Sequence, residues 1–403
     1  MSRSDKLKRN LSMLFWGKAF AELNILNAIV TLFYLHRGLG IEEIFYLGIV
    51  WSIATLIFEV PTGYLADRFG RKRTLLLGTF LLTLSWIVTW FAHGFPAFVI
   101  IFVFMSASFS CFSGTGEALL YDSLKEAREE RDMTKHNGRF HSAHHFFNIF
   151  MPTIGAWIAK DLIESQFSVL IVINIFATIS ALLVFSFLTE PEHFKNVTAY
   201  EKGIFRESVE TIRHNPFLLR AAMNKLLVFI VSFILWRVYQ PFLAAHGVSI
   251  FWLGIFYFLL HGITFILHQC IGYIEKRFGL TRILFWSVVF MTISLSGIFV
   301  TREPWLLFIL ILIPIILETA REPVFAHTMN RHINSRSRAT TLSNLNVLKA
   351  VLDIPILFLA GWLANIDVEY VFVVAIGLCV TTLLFFSIRN RDLLLTKAPE
   401  EFA

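Results

Sequence analysis

Lys18 and Glu22 stand four residues apart inside an apolar run, and Lys349 and Asp353 repeat that spacing far along the chain. At this spacing two side chains share a helix face and can pair. An ionisable group inside an apolar run is costly, and where it occurs it marks a path for protons, ions or polar ligands. At about 1.5 Å of rise per residue, Glu22 falls near the middle of its run, with Lys18 one turn below. Lys349 and Asp353 are central in theirs, as is Asn148 in another. Glu318, Arg321 and Glu322 occupy one half of a further run, Arg237 and Gln240 one half of the next, and His261 and His268 the middle and the deeper part of yet another. Desolvation favours the neutral form of a carboxyl group, which suits such a group to carrying a proton. Each Lys–acid pair also reads as a self-satisfied structural pair, and both readings stay open.

His141, His144 and His145 fall at i, i+3 and i+4, so they share a helix face and invite a metal reading. A metal site needs further ligands and a supporting shell. These histidines are read first as interfacial and second as proton-handling; no metal and no cofactor is expected. Cys111, Cys270 and Cys379 show neither metal spacing nor a disulfide framework, and are read as buried packing residues. No H-E-x-x-H motif or catalytic triad stands out, so an enzyme is not expected.

The elements that hold these residues follow from composition. Hydrophobic residues make up 56% of the 403 positions and charged residues 16%. A soluble domain carries more charge than this. About 20 apolar residues cross a bilayer, and such runs occur near 12–36, 43–66, 74–93, 96–124, 138–160, 166–189, 218–245, 250–274, 282–301, 304–329, 339–364 and 368–388. Twelve spans place both termini on one side. Cations gather in alternate connections, such as Arg68-Arg71-Lys72-Arg73 and Lys125-Arg128-Arg131-Lys135-Arg139. The intervening ones hold little beyond Arg37, Lys160 and Arg302. The basic side faces the cytoplasm, so both termini are expected there, and the net charge of +6 implies no nucleic acid. No cleavable signal peptide is expected at the polar, basic start. The expected domains are 1–190, a linker over 191–216, and 217–403. In the linker Phe205, Val209 and Ile212 share a face, which suggests an amphipathic helix on the membrane surface.

Two stretches tie the halves together. GYLADRFGRKR begins at Gly63, and GYIEKRFGLTR begins at Gly272, 209 positions later. An offset near half the chain reads as an internal duplication. Six spans per half make the halves parallel, an architecture of transporters. The first stretch, Gly63 through Lys72, resembles the signature between the second and third helices of the major facilitator superfamily. Glu59-Val-Pro61-Thr-Gly63, Ser113-Gly114, Glu117 through Leu124, and Arg338-Ala-Thr340 with Ser343 resemble a bacterial, drug- or siderophore-efflux-like subgroup. Span four lacks the buried Arg of many proton-driven exporters, and Met151-Pro152-Thr-Ile-Gly155 is a sparse form of their Gly- and Pro-rich fifth helix.

The resemblance implies an all-α membrane fold of twelve helices in two pseudo-symmetric bundles. It implies a secondary active transporter of a small organic solute, working by alternating access in the bacterial inner membrane. The expected activity is proton-coupled export of a drug-like or siderophore-like compound; an importer of a metabolite or metal chelate, and a transporter-like sensor, are the alternatives. The lipid bilayer, the solute and protons are the expected partners, and a monomer the expected state. Spans one, four, seven and ten line the cavity in that family, which favours Glu22, Glu318 and Arg237, with Lys349, Asp353 and Asn148 as further site groups. By the same resemblance Asp67 faces the start of the eleventh helix, near Arg338 to Ser343, as a latch. Gly63 and Gly70 are read as allowing close approach and a tight turn. Arg68 and Arg71 are read as pairing with Asp122 and Asp67, and Glu59 as joining them.

Overall fold

Helices account for the regular structure of the computed structural model, which describes residues 2–129, 133–192, 216–332 and 338–388. The first half holds α1 (Arg3–Ala21), a 3-10 turn (Asn27–Ile29), α2 (Val30–His36), α3 (Ile41–Phe69), α4 (Arg71–Phe91), α5 (Gly94–Phe112), α6 (Thr115–Glu126), α7 (Met133–Asn148), α8 (Met151–Ile158) and α9 (Glu164–Ser186). The second holds α10 (Pro216–Ala245), α11 (Ile250–Phe278), α12 (Leu280–Gly297), α13 (Pro304–His332), α14 (Arg338–Ile366) and α15 (Glu369–Phe385). Every expected span falls on one of these helices or on a pair of them. Among the described residues, nine helical stretches are long and apolar enough to cross a membrane. Val60, Phe91 and Ile293 stand exposed on such stretches, as side chains facing lipid do.

Three of the expected spans are interrupted. The first breaks between α1 and α2, the fourth at Ser113-Gly114 between α5 and α6, and the fifth at 149–150 between α7 and α8. Gly114 adopts φ 69°, which a residue with a Cβ rarely takes up. Pro152 opens α8, where its missing N–H costs nothing.

The chain divides into two compact units. The first comprises 1–197 with 249–258, the second 198–248 with 259–403. Leu14, Leu75, Leu119, Leu120, Phe140, Ala181 and Phe185 form an apolar core in the first unit. Gly17 has no Cβ to obstruct the Phe185 ring that packs on it. In the second unit Ala221, Leu284, Val324, Phe325 and Ile388 form a smaller core.

Cys111 and Cys379 are buried as expected, but Cys270 is exposed on α11. Gly63 does not form a turn: α3 runs through it unbroken, and a Cβ there would meet nothing within 4 Å. The turn belongs to Gly70 alone, at φ 98°. Phe205, Val209 and Ile212 lie outside the described residues, as do the side chains of Arg338 to Ser343.

Candidate functional site

In the first unit, the break after α1 gathers several of the expected residues. Glu22 is the C-cap of α1, and its N–H bonds back to the Lys18 carbonyl. Beyond it the sequence Leu-Asn-Ile-Leu-Asn cannot continue the helix cheaply, because asparagine amides compete for backbone groups. Backbone polar groups freed at membrane depth must find partners inside the protein. Asparagines supply them. Asn174 Oδ1 accepts the N–H of Ile25 at 3.2 Å, Asn24 Oδ1 accepts that of Leu26 at 3.1 Å, and Asn148 Nδ2 donates to the Glu22 carbonyl at 2.9 Å. Gly155 of α8 packs on the Ile25 carbonyl, in space that a Cβ would occupy.

The Glu22 carboxylate has two neighbours. Its Oε2 accepts from His144 Nδ1 at 2.9 Å, and Lys18 Nζ lies 3.7 Å from Oε1. Lys18 also sits over the Phe140 ring, 4.3 Å from its centre. About one turn along α7 from His144, His141 Nε2 lies 3.3 Å from Glu117 Oε1. Among the described residues no group of three His, Cys, Asp or Glu side chains could hold a metal ion.

A second cluster stands at the end of this unit where α1 begins and α9 leads out. Arg71 pairs with Asp122 and also donates to the Ala118 carbonyl. Glu190 spans the start of α4, accepting the N–H of Arg71 and of Lys72, each at 2.8 Å. Gly70 makes room for it: a Cβ there would lie 3.0 Å from that carboxylate. Arg3 pairs with Glu126, and Lys8 with Glu129 at 2.6 Å. Asn10 Nδ2 donates to the Thr189 carbonyl at 2.7 Å, and its Oδ1 accepts the Thr189 N–H at 2.9 Å. Arg68 donates to the Tyr64 hydroxyl at 2.5 Å, and Glu59 accepts from Thr62 through its backbone carbonyl at 3.2 Å. Asp67 lies in the last turn of α3.

In the second unit Lys349 Nζ meets Asp353 Oδ2 at 2.7 Å, and Asp353 is wholly buried. Lys349 also lies over Phe229, and Arg237 lies over Phe233 at 3.7 Å. Phe229 and Phe233 stack on each other, so one aromatic pair carries both cations. Arg237 donates to the Phe233 carbonyl at 2.6 Å. Lys225 pairs with Glu322 at 2.7 Å, and Arg321 donates to Asn224 Oδ1. Glu318 accepts from the Thr319 hydroxyl at 3.5 Å and lies within electrostatic reach of Arg321, Glu322 and Lys225. Gln240 is buried, with its amide on the Tyr239 hydroxyl at 3.1 Å, and His268 Nε2 lies 3.1 Å from the Thr319 carbonyl.

Three residues escaped the sequence reading. Asn174 is a polar residue in the middle of an apolar span, the same signal that marked Asn148. Glu190 is an acid directly after span six, and Asn10 an amide just before span one. A search weighted toward ionisable groups at depth passes over two amides and an acid at the membrane edge.

The chain matches known proteins in family and in fold. A family model described as Major Facilitator Superfamily matches residues 14–351. An uncharacterized MFS-type transporter of Bacillus subtilis, YxaM, is 25% identical over 244 residues, 60% of each chain. An uncharacterized transporter of Buchnera aphidicola is 22% identical over 62% of this chain and 53% of its own. These matches therefore span under two thirds of either relative. Among solved structures, a bacterial homologue of the human lysosomal transporter Spinster, inward-facing and unoccupied, aligns over 100% of both chains with TM-score 0.76 and 14% identity. A variant of the nucleoside transporter NupG aligns with TM-score 0.73 and 12% identity, covering 94% of this chain and 98% of its own. At these identities the likeness is one of fold.

Proposed function

The chain belongs to the Major Facilitator Superfamily, and from that premise we propose that it is a secondary active transporter that exports a small organic solute in exchange for protons by alternating access. It sits in the bacterial inner membrane with both termini cytoplasmic. Glu22 is the coupling group, with Asn148 beside it and Glu318, Arg237, Lys349 and Asp353 as further solute- or proton-binding groups. Asp67, with Arg68, Arg71, Asp122, Glu59 and the glycines of its motif, forms the cytoplasmic latch.

The observation that carries this reading is the placement of Glu22. Its carboxylate is 37% exposed at the break in α1, and discontinuous helices at membrane depth are where transporters build solute and ion sites. A carboxylate so exposed in a membrane span stands against water in a cavity rather than against lipid.

The test uses everted membrane vesicles with an imposed pH gradient, a pH-sensitive dye, and a panel of cationic drugs, siderophores and amino-acid-like solutes. The native chain is expected to dissipate the gradient when its solute is added, and Glu22→Gln to lose that response. Dissipation that survives Glu22→Gln moves the coupling group elsewhere. Solute uptake into intact cells, rather than loss from them, overturns export in favour of import. In the same vesicles Asp67→Asn lowers turnover at unchanged expression; full turnover removes the latch.

A further inference from the structure

Two imidazoles of α7 each meet a carboxylate from a different helix. His144 Nδ1 lies 2.9 Å from Glu22 of the α1 break, and His141 Nε2 lies 3.3 Å from Glu117 of α6. An ionised carboxylate only accepts hydrogen bonds, so the ring nitrogen that faces it must carry the proton. In a neutral ring the other nitrogen is then unprotonated. Glu22 therefore leaves Nε2 of His144 as a proton acceptor, while Glu117, within ion-pair distance of His141 but not hydrogen-bonded to it, fixes no tautomer there. The side chains of both pairs are 37–53% exposed, and ionisable groups of a membrane protein face water or the bundle interior rather than lipid. The pairs are one helical turn apart along α7, with His141 nearer the polar end where Lys8 meets Glu129.

We propose that His141 and His144 are two successive proton-accepting sites on the wall of the first unit, His144 fixed in tautomer and orientation by its hydrogen bond to Glu22 and His141 placed within ion-pair distance of Glu117. His141 takes a proton from the side of the polar end, and His144 passes it to or from Glu22. The charged neighbours fit this ladder. From α1, Lys18 flanks Glu22 at 3.7 Å. From α6, Asp122 is held by Arg71, and Lys125 lies over Tyr121. On α7 itself, Arg139 lies over Phe15 and His145 packs edge-on to His144 at 5.0 Å. Packed at the end of α7, α8 carries no titratable group.

The proposal rests on the transporter reading for the use of the proton, not for its binding. It is tested without a solute, on the full chain in lipid nanodiscs with histidines labelled in nitrogen-15. The two signals are assigned by their loss in His144→Gln and in His141→Gln. At pH 8 the expected result for His144 is the Nδ1–H tautomer. Both rings gain a second proton as the pH is lowered to 5. Glu22→Gln removes the Nδ1–H preference of His144 and leaves His141 unchanged, whereas Glu117→Gln leaves the His144 tautomer as it was. Rings that stay singly protonated throughout, or a His144 tautomer indifferent to Glu22, overturn the proposal. Histidines that behave as expected in a chain whose vesicles show no coupled flux keep the proton sites and discard the coupled-export reading instead.

Discussion

The Glu190 carboxylate accepts the backbone N–H of Arg71 at 2.8 Å, and its second oxygen accepts that of Lys72 at the same distance. A residue at the exit of α9 thus caps α4, a helix that begins about 120 positions earlier in the chain. The first N–H groups of a helix have no partner within it, and its positive dipole end favours an anion. Glu190 answers both needs, and Gly70 is the residue that lets it come so near.

Glu190→Ala is therefore expected to cost about 1 kcal/mol, the ordinary effect of losing a helix cap. Thermal unfolding of the purified chain in detergent measures it. A melting temperature equal to that of the native chain would show that water caps α4 equally well.

The two glycines of the motif should part company when replaced by alanine. Gly70 holds φ 98° with the Glu190 carboxylate 3.0 Å from where a Cβ would stand. Gly70→Ala is expected to destabilise by about 1–3 kcal/mol. Gly63 lies within α3 with open space around it, and Gly63→Ala should be neutral or stabilising by up to about 1 kcal/mol. Equal effects at both positions in the same melting assay would contradict the assignment of the turn to Gly70.

The duplication was legible in the sequence, and the structure carries it to side chains. Arg68 donates to the Tyr64 hydroxyl, and Arg277 donates to the Tyr273 hydroxyl at 3.0 Å, both pairs displaced by the same 209 positions. Gly70 and Gly279 both hold positive φ between consecutive helices. Asn10 donates to the carbonyl of Thr189 in the first unit, and Asn224 to that of Phe386 in the second. The copies differ where Leu280 replaces Arg71, so the ion pair with Asp122 has no counterpart there. The helix breaks were not legible. Runs 12–36 and 138–160 read as continuous spans despite their polar residues, and hydropathy does not report where a backbone leaves its helix. The asparagines that satisfy Glu22, Ile25 and Leu26 come from α7, α9 and the break itself, and that partnership exists only in three dimensions.

Gly155 makes the α1 break testable by size. Gly155→Ala would put its Cβ against the Ile25 carbonyl, a backbone atom that cannot swing aside. Overpacking of this kind costs about 1–3 kcal/mol. It would also displace the segment that carries Glu22, so dissipation of the pH gradient should fall along with stability. Gly262→Ala, with nothing within 4 Å, is the matched control on α11. A Gly155→Ala chain that melts and transports as Gly262→Ala does would mean that the break tolerates the displacement.

Lys349 and Asp353 differ in exposure, and that difference fixes the sign of a double-mutant cycle. Asp353 is wholly buried, while the Lys349 side chain is 27% exposed and lies against Phe229. Removing the lysine takes the ion-pair partner from a buried carboxylate, and the loss of one partner of a buried pair costs about 3–5 kcal/mol. Removing the carboxylate instead leaves an ammonium that still reaches solvent and an aromatic face. Lys349→Met should therefore destabilise more than Asp353→Asn, and the double variant should recover much of the lysine loss, since the buried charge is then gone as well. The two single variants and the double variant, unfolded in the same detergent, yield the coupling directly. If Asp353→Asn is the more damaging single change, the carboxylate is doing more than balancing Lys349, and its place among the proton-binding groups gains a stability signature of its own.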